Sequence, residues 1–138
     1  MNRHTRTRGF AALELAILAP VAIALMMLAV YGGRIYLAQQ LVDTAANAAA
    51  RAASAAPTRE TAVHDATTMA TAMLANRGRT CMDPSVSVDA TQFHANGQVV
   101  VSVTCTATLQ DLTLLPLNGT RVLSGVGKSP IEIYVPSG

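Results

Sequence analysis

From Leu15 to Tyr31 the chain carries no charged residue, and this run limits what the rest can fold into. Its apolar character extends from Phe10 to Gly33. A helix needs about 17–25 such residues to cross a bilayer, whereas the core helix of a small domain needs no uncharged run of that length. The stretch therefore predicts a membrane-spanning helix over residues 10–33. Arg3, Arg6 and Arg8 stand just before it with no acid among them, and only Arg34 lies close on the far side. Lys and Arg near a span favour the cytoplasmic side. Residues 1–9 are thus expected to stay inside as a basic leader, with everything after Gly33 outside. A secretory signal peptide is the competing reading, with the alanines around Ala45–Ala50 imitating its cleavage site. Its apolar core usually covers about 7–15 residues; this one is longer and holds Glu14. The chain has no Arg-Arg pair, which excludes a twin-arginine signal.

Glu14 is the exception within the apolar stretch. A carboxylate deep in a span costs about 2.5–3.5 kcal/mol on insertion scales, so an intramembrane acid points to function. The plainer alternative is that Glu14, one to two turns from Arg8, snorkels to the interface. The wider context favours function: a basic leader, Gly9, Phe10, the apolar Ala11-Ala12-Leu13, Glu14, then a long apolar helix. This order resembles the processing site of type IV prepilins and pseudopilins. The resemblance implies cleavage by a prepilin peptidase between Gly9 and Phe10, with Glu14 as the fifth mature residue. Pro20 removes one helical hydrogen bond and is expected to bend the span, which membrane helices tolerate.

Beyond Arg34 the helix is expected to continue to about Ala56. Ala38, Leu41, Val42, Ala45, Ala48, Ala49, Ala52 and Ala56 recur at helical spacing, with Gln40, Asp43, Asn47, Arg51 and Ser54 largely opposite. Alanine burial stabilises little per residue. Such a face permits close backbone approach, or it reflects helix propensity alone. The segment narrows the resemblance to TadE-like pseudopilins of Tad (Flp) pilus systems. Arg8-Gly9, Leu13-Glu14-Leu15-Ala16, Pro20 and Gly33-Arg34 follow that family's order, and Ala45–Arg51 follows its alanine-rich Ala-Ala-Arg-x-Gly-Ala-Arg segment. Leu15 replaces the usual Phe, Asn47 an Arg and Ala49 a Gly.

Pro57 ends the long helix and, with Thr58, starts a second one over Thr58–Arg77, which Gly78 stops. Its expected stripe is Ala62, Ala66, Met69, Met73 and Leu74, with Val63 and Ala70 beside it; Met69 and Met73 read as core filling rather than metal or heme ligands. After Gly78 the pattern alternates. Val86 and Val88 mark a first strand, and Asn96-Gly97 is a two-residue turn signal before a strand over Gln98–Leu109. Leu112–Asn118 reads as loop or edge, since Pro116 cannot donate to a ladder. A further strand or pair of strands is expected over Thr120–Val126 and Ile131–Val135, interrupted by Gly125, Gly127 and Pro130. The expected fold is α+β: leader 1–9, span 10–33, alanine-rich extension 34–56, and an exported head 57–138. In that head the second helix backs an antiparallel sheet of three or four strands.

Cys81 and Cys105 are the only cysteines, both on the predicted outer side, where a bridge would stabilise the head by roughly 2–4 kcal/mol. Two buried free thiols are the alternative; a zinc site needs closer pairing. The formal charge of +2 comes from the leader: residues 10–138 hold seven Lys/Arg against eight Asp/Glu, or −1. That excludes the basic face a nucleic-acid partner requires. His64 and His94 are isolated, and no nucleophilic triad, phosphate-cradling loop or metal-spaced cluster occurs, so neither enzyme activity nor a cofactor is expected. Asn118-Gly119-Thr120 matches a glycosylation sequon of the kind that arises by chance. The resemblance implies a minor pseudopilin of the cytoplasmic membrane, with the bilayer, a prepilin peptidase, other pilins and the pilus assembly machinery as partners. In filaments of such proteins the counterpart of Glu14 is thought to meet the freed amino group of a neighbour. The alternative is an uncleaved single-pass anchor presenting a small binding head.

Overall fold

The computed structural model describes residues 4–75, 81–110, 116 and 118–132. Two helices and three strands follow in the order α1 (His4–Ser54), α2 (Arg59–Ala75), β1 (Met82–Asp89), β2 (Gln98–Thr108) and β3 (Thr120–Pro130). This is the α+β arrangement expected from the sequence. Helix α1 passes through Pro20 without interruption, so span and extension form one rod. At about 1.5 Å per residue its 51 residues reach roughly 75 Å.

Up to Val30 the large apolar side chains of α1 are exposed, whereas from Ala38 onward one broad face is buried. That face holds Ala38, Val42, Ala45, Ala46, Ala49, Ala50 and Ala53. It is wider than the stripe read from spacing, which omitted Ala46, Ala50 and Ala53; Ala48 and Ala52 are only half-buried. The reason is that α1 is enclosed from two sides, by α2 and by the sheet. Helix α2 packs on α1 and on β1 rather than forming the main backing of the sheet, which α1 supplies.

Thr58 starts α2 with a reciprocal cap. The Thr61 amide donates to Thr58 Oγ1 (3.2 Å), and the Thr58 amide donates to Thr61 Oγ1 (3.1 Å). Two of the helix's orphan donors are thereby satisfied. Its buried face is a strict four-residue repeat, Ala62, Ala66, Ala70 and Leu74, with Met73 half-buried. Val63 and Met69 are exposed, so Met69 does not fill the core. Three alanines in that repeat bring α2 close to α1, and close contact leaves the neighbouring positions outside. Residues 76 and 77, the expected last turn, lie outside the described residues.

The sheet is antiparallel in the order β1-β2-β3. Strand β2 sends Val99, Val101, Val103, Cys105 and Ala107 into the core, joined by Leu123 of β3. The first strand holds Pro84 at the sheet edge; a register irregularity between Met82 and Ser85 and a positive φ at Asp83 accommodate it. The β1–β2 connection spans Ala90–Gly97 rather than two residues, because Asp89 pairs with Val100. Asn96 takes the left-handed conformation there, and Gly97 donates to the His94 carbonyl. Thr91 donates its amide to Asp89 Oδ1 at 3.0 Å, which holds that carboxyl below its ordinary range.

Strand β3 runs unbroken from Thr120 to Pro130, where the sequence suggested interruptions at Gly125 and Gly127. Those glycines sit against the backbone of α1. A Cβ on Gly125 would lie 2.9 Å from Asp43 Cα, and one on Gly127 would lie 2.1 Å from the Ala46 carbonyl oxygen. They allow strand and helix backbones to touch, as interior strand glycines do where another backbone approaches. Gln39 Nε2 donates to the Ser124 carbonyl (2.6 Å), and the Ser54 and Ser129 hydroxyls bond across the top of the same seam (2.9 Å). Ile131 and Glu132 lie beyond the strand, and residues 133–135 lie outside the described residues.

Candidate assembly and processing site

Gly9, Phe10 and Glu14 all lie on α1, in the part of the rod that is unburied among the described residues. A Cβ at Gly9 would have no atom within 4 Å, so the glycine is not required by packing. Phe10 is 76% exposed. Four residues on, Glu14 falls on the same side of the helix and is also exposed. Among the described residues nothing forms an ion pair or hydrogen bond with it. The most apolar window of α1 has a mean hydropathy of 2.5 and none of it is buried. An exposed apolar helix with a single carboxylate is unsuited to water, and a carboxylate within lipid pairs with another group or snorkels to the interface.

The cysteines lie far from this region. Cys81 and Cys105 form a disulfide with their Cα atoms 5.3 Å apart, and both are buried against the sheet core. The bridge ties the segment leading into β1 to the middle of β2. His64 Nδ1 stands 3.4 Å from Asp65 Oδ1 on the exposed face of α2, and His94 sits in the β1–β2 connection. Among the described residues no three His, Cys, Asp or Glu side chains gather as metal ligands would. An open groove of about 430 Å³ lies where Ser54–Arg59 faces Phe93–Ala95, Ile131 and Glu132. Its Ser54 and Thr58 hydroxyls bond to Ser129 and Thr61, and His94 Nδ1 bonds to the Ala95 carbonyl, so no hydroxyl is paired with the imidazole.

Glu14, Gly9, Pro20, Gly33-Arg34 and the alanine tract thus fall on one continuous helix. Over residues 9–51 the chain matches the family model for TadE-like proteins. The match begins at Gly9 and ends at Arg51 within α1, so it covers well under half of the chain and none of the sheet. The similarity to TadE-like proteins is thus one of the helix alone. No curated protein matches the chain, and no solved structure does. The cap at Thr58 and the close approach of Gly125 and Gly127 to α1 lie beyond the TadE-like segment. Only the strand glycines gave a sequence signal for that contact, and a glycine inside an alternating pattern reads equally well as a break.

Proposed function

We propose that this chain is a minor pseudopilin of a Tad-type pilus or related secretion apparatus. It is inserted with its N-terminus inside and its head outside, then cut after Gly9. The observation that carries this reading is the TadE-like match over residues 9–51, on a helix whose apolar window is wholly unburied. Cleavage at Gly9 would free the amino group of Phe10 four positions before Glu14. A carboxylate and an ammonium group brought together in a low-dielectric bundle attract strongly, and leaving either unpaired is costly. Pairing between neighbours would therefore fix the axial register of their helices.

Intact-mass measurement after co-expression with a prepilin peptidase tests the processing step. The mature chain is expected to begin at Phe10, and replacing Gly9 with a bulky residue is expected to leave the leader attached. A wild-type chain that keeps residues 1–9 would instead be a tethered ectodomain. The assembly role is tested separately. Glu14→Ala is expected to insert and be cut normally while pili, counted by electron microscopy, fall to background. Normal piliation in that strain would remove Glu14 from assembly.

A further inference from the structure

The head leaves no room for a spacer between itself and the bilayer. Helix α1 is unbroken, so the height of every head residue above the span is fixed by its level along the rod. Gly125 lies against Asp43, and Gly127 lies against Ala46 and Asn47. β3 therefore runs in the same direction as α1, with two strand residues matching three to four helix residues. Followed back at that ratio, Val122 falls at about the level of Ala38 and Thr120 at about that of Arg34. The Leu109 amide donates to the Gly119 carbonyl at 2.9 Å, closing the β2–β3 connection at this same end. Exposed apolar side chains of the rod continue past the span to Tyr36 and Leu37, 63% and 65% exposed. Leu37 stands about 6 Å and Ala38 about 7.5 Å beyond Gly33, which places Leu37 inside, and Ala38 at the outer edge of, an interfacial layer roughly 5–7.5 Å deep. The apolar surface of the helix thus overlaps in height with the lower end of the sheet.

That end carries groups suited to lipid. Val122 is 68% exposed on the outer face of the sheet, and Arg121 is exposed on the face towards α1, across from Ala107. A tyrosine at the interface and an arginine reaching lipid phosphate are the usual anchors at this depth. We propose that the start of β3, Arg121 and Val122, rests in the headgroup layer of the bilayer spanned by α1, making the head a second membrane contact. The inference depends on the membrane reading of α1 and adds the seating of the head upon it.

The chain has no tryptophan, so single tryptophans report position directly. Full-length Leu25→Trp, Val122→Trp and Val126→Trp are reconstituted in phosphatidylglycerol-containing vesicles with quenchers at the headgroup or deep in the acyl chain. Leu25→Trp is expected to respond to the deep quencher. Val122→Trp is expected to respond severalfold more to the headgroup quencher than Val126→Trp, which lies four residues further up the same exposed face. Quenching of Leu25→Trp with Val122→Trp and Val126→Trp equally unquenched overturns the proposal and leaves the span intact. A blue-shifted Val122→Trp that no lipid quencher reaches assigns the patch to a second copy, and also overturns it. Loss of quenching at Leu25→Trp would instead remove the membrane reading itself.

Discussion

Gly127→Ala is expected to cost on the order of 3 kcal/mol, at the upper end for an overpacked contact. For a head of this size that is a fall of about 12–24 °C in Tm. The added methyl would sit 2.1 Å from the Ala46 carbonyl oxygen, 2.3 Å from its carbon and 2.6 Å from the Asn47 amide nitrogen. All three atoms belong to the backbone of α1, so no side chain can rotate away to make room. Strand β3 must then lift from the helix, and Leu123 and Ser129 lift with it. Gly33→Ala is the control, because a Cβ there meets nothing within 4 Å. Thermal melts of the full chain in detergent, followed through the strand signal, compare the two. Equal melting temperatures would mean that β3 is not seated on α1.

Reduction of the Cys81–Cys105 bridge should lower head stability by about 3 kcal/mol, from the entropy released when a loop of this length opens in the unfolded chain. The effect arises largely in the unfolded state, so the folded sheet can keep its register while its population falls. Denaturant midpoints with and without reductant measure it. The wild type should shift, and the Cys81→Ser/Cys105→Ser double variant should start low and stay unchanged. A wild-type midpoint indifferent to reductant would show that the bridge contributes nothing. The expected shift also ties completion of the head to an oxidising compartment, which agrees with the proposed delivery of the head across the membrane.

Elements with a strong local period were legible in the sequence. The uncharged run gave α1, Pro57-Thr58 gave the end of one helix and the start of the next, and the alternation from Val99 to Cys105 gave β2. Contacts between elements were harder to read. Gly125 and Gly127 read as interruptions because the preference of a glycine in a strand depends on what lies across from it, here helix residues Asp43 and Ala46, far away in sequence. The alanine face was seen but drawn too narrow, since a residue scale cannot show that a helix will be covered from two directions. Met69 looked like core for the same reason: its hydropathy was right and its azimuth on α2 was wrong. At the candidate site, Gly9, Phe10 and Glu14 stand out in the sequence because their order and spacing resemble a prepilin processing site. The fold adds that they share an unobstructed stretch of helix.

The unbroken α1 makes the chain a stiff axle with the head bolted to one end. A helix turns by about 100° for each residue of rise. If neighbouring rods slipped by one residue and restored their side-chain mesh by rotation, each head would swing through more than a quarter of a circle. Heads that must point in a common direction therefore demand that the rods be indexed to a single residue, and one isolated charge embedded in an otherwise featureless apolar shaft is the kind of notch that can do so.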